Sequence, residues 1–240
     1  MSNWADGEIL GFDFETTGVD RFHDVPVSFA LVTLVGGALV STSAALVDPG
    51  REIPAGATDV HGITTEQCRA EGIALVDAIE LISDAVLSAG RRCVPLVGMK
   101  LDYDLTILDT QSRQLCGVGL HERGWRGPAL DAVVLDRHHD RYRKGRRTLG
   151  ALCEQYGVCI EHAHDAAADA IASAQVILTL ASRFEELGAT DPFVLHEAQI
   201  DWHREWAEGY DDWRIRGGLS PIDRRDYVWP VAPAILDAAA

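Results

Sequence analysis

A chain of 240 residues, 47% hydrophobic and 24% charged, is long enough for one domain with an appendage and has ordinary globular proportions. No apolar run reaches the roughly 18–20 residues of a membrane span, and no charged-then-apolar leader opens the chain, so a cytoplasmic protein is expected. A formal charge of −16 excludes a body that is basic throughout, so a polyanionic partner would have to be met locally.

The first element is a short strand, Ile9 to Phe14, apolar or small apart from Asp13, and closed by the turn-forming Thr16-Thr17-Gly18. Strand side chains alternate faces with period two, so Asp13 and Glu15 leave the same face. Two carboxylates held that close repel and shift each other's pKa unless a cation sits between them, and oxygen-only pairs suit Mg²⁺ or Mn²⁺. The plain alternative is a solvated strand end with incidental acids.

Pro26 to Val35 and Ala38 to Val47 are rich in β-formers and flank Gly36-Gly37, the pattern of a hairpin. A loop over 53–63 carries His61-Gly62-Ile63. Thr64 and Gln67 then fit a capping box, opening an amphipathic helix with Ile73, Val76, Ile79, Ile82 and Val86 inward and its end at Gly90. Cys93 to Gly98 reads as a short strand, and 101–116 as a helix with Leu101, Leu105, Leu108 and Leu115 inward. Ala129 to Leu135 is a further apolar stretch.

Residues 137–147 hold six of the 21 Lys and Arg, a local charge of +5 that leaves −21 for the rest. Such a patch on an acidic body can grip a phosphate backbone; a solvated charged loop is the alternative. Helices follow at Leu149 to Tyr156, Ala166 to Leu187 and Asp191 to Arg216. The last carries Trp202, Trp206 and Trp213, spaced as a buried stripe or a partner surface. Five cysteines without a C-x-x-C pair read as small buried hydrophobes in a reduced compartment. Strands first, then alternating helices and strands, give an α/β fold: a mixed sheet flanked by helices over 1–190, with 191–240 a C-terminal helix and tail packing on it.

Two further acidic sites join the first. Tyr103-Asp104 opens the helix after the strand ending at Gly98, and His164-Asp165-x3-Asp169 opens the alanine-rich helix. Carboxylates at strand ends and helix N-termini stand where ligands collect in such folds. On an ideal helix His164 and Asp169 point about 140° apart, so they share a site only if His164 projects from the entry loop, with Asp165 as N-cap.

Asp13-Phe14-Glu15-Thr16-Thr17-Gly18, His61-Gly62-Ile63-Thr64, Tyr103-Asp104-Leu105-x-x-Leu108 and His164-x4-Asp169 follow in order. Over about residues 7–187 this series resembles the DEDDh, or DnaQ-like, 3′–5′ exonucleases, the group of the proofreading subunit of bacterial DNA polymerase III. The resemblance implies a ribonuclease H-like fold with a five-stranded mixed sheet and hydrolysis of DNA 3′ ends by two Mg²⁺ or Mn²⁺ ions. It assigns Asp13, Glu15, Asp104 and Asp169 to the metals and His164 to the general base, Asp104 being preferred to Asp102 because it follows the aromatic residue. It places Phe14, Thr16, Thr17, His61 and Tyr103 against nucleic acid, with Arg143, Lys144, Arg146 and Arg147 from the basic stretch. One departure is Met99-Lys100, where the family has Asn ahead of the aromatic; Lys100 is a candidate backbone contact. Single-stranded DNA is the expected substrate and a polymerase or replication complex a candidate partner. RNA trimming is the rival within the fold, and a non-catalytic nucleic-acid-binding module the rival from another class. A phosphatase of the Asp-x-Asp-x-Thr type fails on Glu15.

Overall fold

The computed structural model describes residues 3–160 and 164–234; residues 161–163 and the tail beyond 234, part of the expected C-terminal segment, lie outside the described residues. Strands β1 (Glu8–Thr16), β2 (Pro26–Val35) and β3 (Ala38–Asp48) form an antiparallel meander. The β2–β3 turn is made by Gly36 and Gly37, at φ +55° and +80°, which glycine adopts without strain.

Two short helices follow where a loop and a single long helix are expected from the sequence. α1 (Ala55–His61) closes on Gly62 at φ +75°, and α2 (Thr65–Glu71) begins with the capping box, Gln67 N–H to Thr64 Oγ1 at 3.2 Å and Thr64 N–H to Gln67 Oε1 at 2.8 Å. Gly72 ends α2 because the chain there runs hard against β3: a Cβ would lie 2.4 Å from the Cys68 carbonyl and 2.6 Å from the Asp48 nitrogen. Ile73–Ala74 then pairs with Val47–Asp48 as β4, and α3 (Leu75–Arg91) starts afresh. The sheet therefore has six strands, not five, in the order β4-β3-β2-β1-β5-β6. A two-residue strand has no alternation to read.

The parallel strands β5 (Leu96–Gly98) and β6 (Ala129–Asp131) flank α4 (Leu101–Cys116), on which Leu101, Leu105 and Leu108 are buried but Leu115 is exposed. The apolar stretch 129–135 is divided by Asp131, whose carboxylate accepts the N–H groups of Val133 and Val134 and so caps α5 (Ala132–His139). α6 (Leu149–Tyr156) and α7 (Ala166–Arg183) come next, then α8 (Glu185–Ala189) and α9 (Pro192–Arg216). α7 is shorter than expected, since Phe184 turns extended before α8.

Alternation along β1 assigns its two faces. Ile9 and Gly11 face α7, where Ala170, Ala174 and Ile177 are buried, while Leu10, Phe12 and Phe14 enter the opposite core with Ile79, Ile82 and Leu105. A Cβ on Gly11 would lie 2.5 Å from Val32 and 3.0 Å from the Ala170 carbonyl, so this glycine sets how closely α7 lies on β1. Helix α9 closes the β6 edge in place of a strand: Gln199 accepts the Asp131 N–H at 2.8 Å and donates to the Ala129 carbonyl at 2.9 Å. The tryptophans do not form one buried stripe. Trp202 packs on the core and stacks on His138, whereas Trp213 is 58% exposed. Among the cysteines only Cys68 and Cys153 are buried.

Candidate active site

A cleft of about 950 Å³ opens at the carboxyl end of β1 and β5. Its floor is Asp13 and Glu15, with Asp104 from the first turn of α4. One wall is α1, through Ala57, Val60 and His61; the other is α9, through His203 and Trp206. Local sequence fixes each carboxylate. Period-two alternation puts Asp13 and Glu15 on the α7 side of β1. Asp104 is placed by the start of α4, where the buried Asp131 carboxylate accepts the Leu101 N–H at 2.6 Å. Asp169 is placed by the start of α7, where Asp165 accepts the Ala168 N–H at 3.0 Å. His164 stands just ahead of that cap at φ +69°, a conformation uncommon outside glycine, and this turns its ring out of the helix line. Oxygens of Glu15 and Asp169 and a ring nitrogen of His164 come within 4.8 Å of one another.

The electrostatics match the crowding. Burial, then the charges of Asp104, Asp169 and Glu15, hold the Asp13 carboxyl well above its ordinary value. Burial, then Asp102 and Asp131, do the same to Asp104. Glu15 is pushed up to about 7 by burial and by Asp169 and Asp165. Asp169 is raised by burial, with His164 opposing, and its Oδ1 is buried without a hydrogen-bond partner. No Lys or Arg is ion-paired with Asp13, Glu15, Asp104 or Asp169 among the described residues. A set of hard oxygen donors, raised in pKa and lacking a cationic partner, fits Mg²⁺ or Mn²⁺. Asp102 differs: Arg21, itself buried, donates to it at 2.8 Å and also pairs with Asp226. Sequence gives no sign of Arg21, because its partners stand 81 and 205 positions away.

The expected nucleic-acid contacts divide. His61, Lys100, Tyr103 and Thr16 line the cleft. His61 accepts the Ile63 N–H on Nδ1 at 3.0 Å, while its buried Nε2 has no partner, and burial lowers its pKa. Tyr103 donates to the Gly18 carbonyl at 2.5 Å and meets Thr16 at 3.0 Å, tying the β1 turn to α4. Phe14 also lines the cleft, but it is only 6% exposed and its ring sits edge-on to Phe12 at 4.7 Å, so most of the side chain packs in the core. Thr17 lines the cleft from a buried position, its hydroxyl donating to Asp24 at 2.7 Å. In the basic stretch, Arg143 and Arg147 turn inward to the fully buried Asp136, at 3.1 and 2.5 Å, where Tyr156 also donates at 2.6 Å. That leaves Lys144 and Arg146, both exposed, as the outward cations of the four. The inward pair answers Asp136, an acid the sequence hides at the end of an apolar run.

Fold and site thus describe a sheet-and-helix domain with an acidic, cation-seeking cleft at its strand ends. The model of the RNase T exonuclease family matches residues 10–177, and the chain belongs to that family, whose members hydrolyse phosphodiester bonds. A DNA polymerase III subunit epsilon-like protein of Rhodobacter capsulatus is 32% identical over 190 residues, 75% of this chain and 24% of the relative. The PolC-type DNA polymerase III of Thermotoga maritima is 25% identical over 192 residues, 79% of this chain and 13% of that one. The chain therefore spans less than a quarter of these relatives. Escherichia coli exonuclease I in complex with a dT13 oligonucleotide shares the fold at a TM-score of 0.62 and 19% identity, over 75% of this chain and 42% of that one. Exonuclease I of Methylocaldum szegediense does so at 0.58 and 22%, over the same shares. No helix among the described residues is long and apolar enough to cross a membrane.

Proposed function

We propose that the chain is a divalent-metal-dependent 3′–5′ exonuclease acting on DNA, with single-stranded ends preferred. The observation that carries this reading is the convergence of Glu15, Asp169 and His164 within 4.8 Å beside Asp13 and Asp104, with the Asp169 Oδ1 buried and unpartnered. The DNA preference is supported by the polymerase III relatives and by the oligonucleotide complex of exonuclease I.

Asp13, Glu15, Asp104 and Asp169 would hold two Mg²⁺ or Mn²⁺ ions, which when bound stabilise charge on the attacking and leaving oxygens of the displacement. His164, exposed to solvent just ahead of α7, takes a proton from the attacking water as the new P–O bond forms. As the P–O3′ bond breaks, the terminal residue is released as a nucleoside 5′-phosphate, and the 3′-oxygen of the shortened strand takes up a proton from solvent to end as a hydroxyl. His61 and Tyr103 border the space where the terminal nucleotide must lie, and Lys100 offers a cation to its backbone.

The test is degradation of 5′-labelled single-stranded DNA and RNA of one sequence in Mg²⁺, Mn²⁺ or EDTA, beside Asp13→Ala. A ladder that shortens from the 3′ end, and is lost in EDTA and in the variant, is expected. Faster decay of RNA would move the substrate assignment, and intact label with the strand still bound would replace catalysis by binding.

A further inference from the structure

The wall of the cleft made by α9 is more than packing. Trp206, Tyr210 and Trp213 are stacked in sequence, with centroids 5.4 and 5.7 Å apart and planes within 11° and 13° of parallel. At 100° per residue they share a sector about 60° wide, while Glu205, Glu208 and Asp212 point roughly 100–160° away from Trp206. The helix thus separates an aromatic face from an acidic one. The stack begins inside the cleft, which Trp206 and Tyr210 line, and ends in solvent at Trp213, 58% exposed.

A cation caps its inner end. The Arg137 guanidinium lies 3.4 Å over the Trp206 ring, borders the same cleft, and makes no hydrogen bond or ion pair among the described residues. Burial lowers its pKa to about 10, so it remains charged at neutral pH. A second guanidinium, Arg214, lies 5.7 Å from the Tyr210 ring. A half-buried arginine with its donors unspent beside an acidic cleft, next to a ladder of parallel rings, has the two components of single-strand recognition: a phosphate donor and a π surface. A protein partner is the weaker match, because the ladder is continuous with the cleft and carries one cation at its inner end and another beside its middle ring.

We propose that a strand seated in the cleft continues along this ladder, one phosphate bound by Arg137 and one base stacked on the open face of Trp213. From Trp206 to Trp213 the helix advances ~10 Å, so the contact reaches a few nucleotides from the scissile bond. This inference rests on the exonuclease reading of the same cleft, and it makes the enzyme's preference for single strands a property of α9.

The experiment compares two substrates in Mn²⁺: an oligothymidylate of about twenty nucleotides, and the nitrophenyl ester of thymidine 5′-phosphate, which has nothing to lay on the ladder. Trp213→Ala should lower kcat/KM on the oligonucleotide at least tenfold and on the ester less than twofold. Fluorescence anisotropy of the labelled oligonucleotide in EDTA should show the same weakening, and Arg137→Gln should flatten the salt dependence of binding by about 0.7 in log–log slope. Equal losses on both substrates, or unchanged binding by Trp213→Ala, would overturn the ladder. Parent protein inactive on both substrates would remove the exonuclease reading instead, and the anisotropy comparison would still decide the ladder alone.

Discussion

Glu15 is the carboxylate through which the cost of the site can be measured without any substrate. Its pKa stands at about 7 in the metal-free fold against an ordinary 4.5, because burial and the charges of Asp169 and Asp165 oppose ionisation. Between those values the folded chain binds more protons than the unfolded one, so stability falls as pH rises. This contribution is complete below 4.5 and gone above 7. The shift alone corresponds to about 3 kcal/mol; the side chain is only partly buried, and solvent screening brings it to about 1–2 kcal/mol. Glu15→Gln keeps the shape and removes the charge. In EDTA at pH 8 the variant should therefore melt higher than the parent by about 2–8 °C, using roughly 2–4 °C per kcal/mol for a chain of this size, and the gap should narrow at pH 5.5. Adding Mn²⁺ at pH 8 should raise the parent's melting temperature and move the variant much less. Calorimetry or circular dichroism melts suffice. A variant that melts at or below the parent in EDTA at pH 8, or that gains as much from Mn²⁺, would refute the claim that Glu15 is a repelled carboxylate awaiting a cation.

His164→Ala should lower kcat by roughly 10²–10⁴ with Mn²⁺ binding largely retained, read by single-turnover kinetics and by isothermal titration; loss of Mn²⁺ binding would make the histidine a ligand instead of a base. In the basic stretch, Lys144→Glu with Arg146→Glu should weaken strand binding and lower its salt slope, with little change in urea midpoint. Arg147→Ala should do the reverse, costing about 1–3 kcal/mol of stability because the buried Asp136 loses part of its neutralisation; a normal midpoint would return Arg147 to the strand. Gly11→Ala should destabilise by about 1–3 kcal/mol, since the new methyl meets Val32 and the Ala170 carbonyl, and unchanged melting would show that α7 shifts freely on β1.

The parts of the fold that could be read from sequence are those where chemistry acts locally. The capping box at Thr64 and Gln67, the Gly36-Gly37 turn, Asp165 at the head of α7 and the alternation of Asp13 and Glu15 all depend on neighbours within a few residues. What escaped depends on distant partners. β4 exists only because Val47 lies alongside Ile73, and Gly72 ends α2 because of a β3 backbone invisible from its own sequence. Arg143 and Arg147 looked like Lys144 and Arg146 because a run of cations carries no mark of which will turn inward; the deciding residue, Asp136, is read as part of an apolar stretch until the fold encloses it. The spacing of Trp213 leaves a buried stripe and an open surface undecided for the opposite reason: spacing shows which residues share a face, not whether anything covers it.

The buried acids of this chain follow two regimes, and the contrast bears on function more than their number does. Asp136 holds two guanidinium groups and a phenol, Asp109 holds Arg113 at 2.7 Å and the Leu120 N–H, Asp131 caps α4 and α5, and Asp102 holds Arg21. Each is neutralised or hydrogen-bonded from within the chain, as the cost of burying a carboxylate requires. Asp13, Glu15, Asp104 and Asp169 stand within the same fold and repel one another, while Lys100, Arg137 and Arg21 border their cleft without pairing to any of them. Random surface acidity does not produce that division, because four mutually repelling carboxylates around one cleft destabilise the fold that positions them. Cations from outside the chain would relieve that repulsion without protonating the carboxylates, and under the proposed function the same cations would admit a phosphodiester to a domain whose net charge of −16 otherwise repels one.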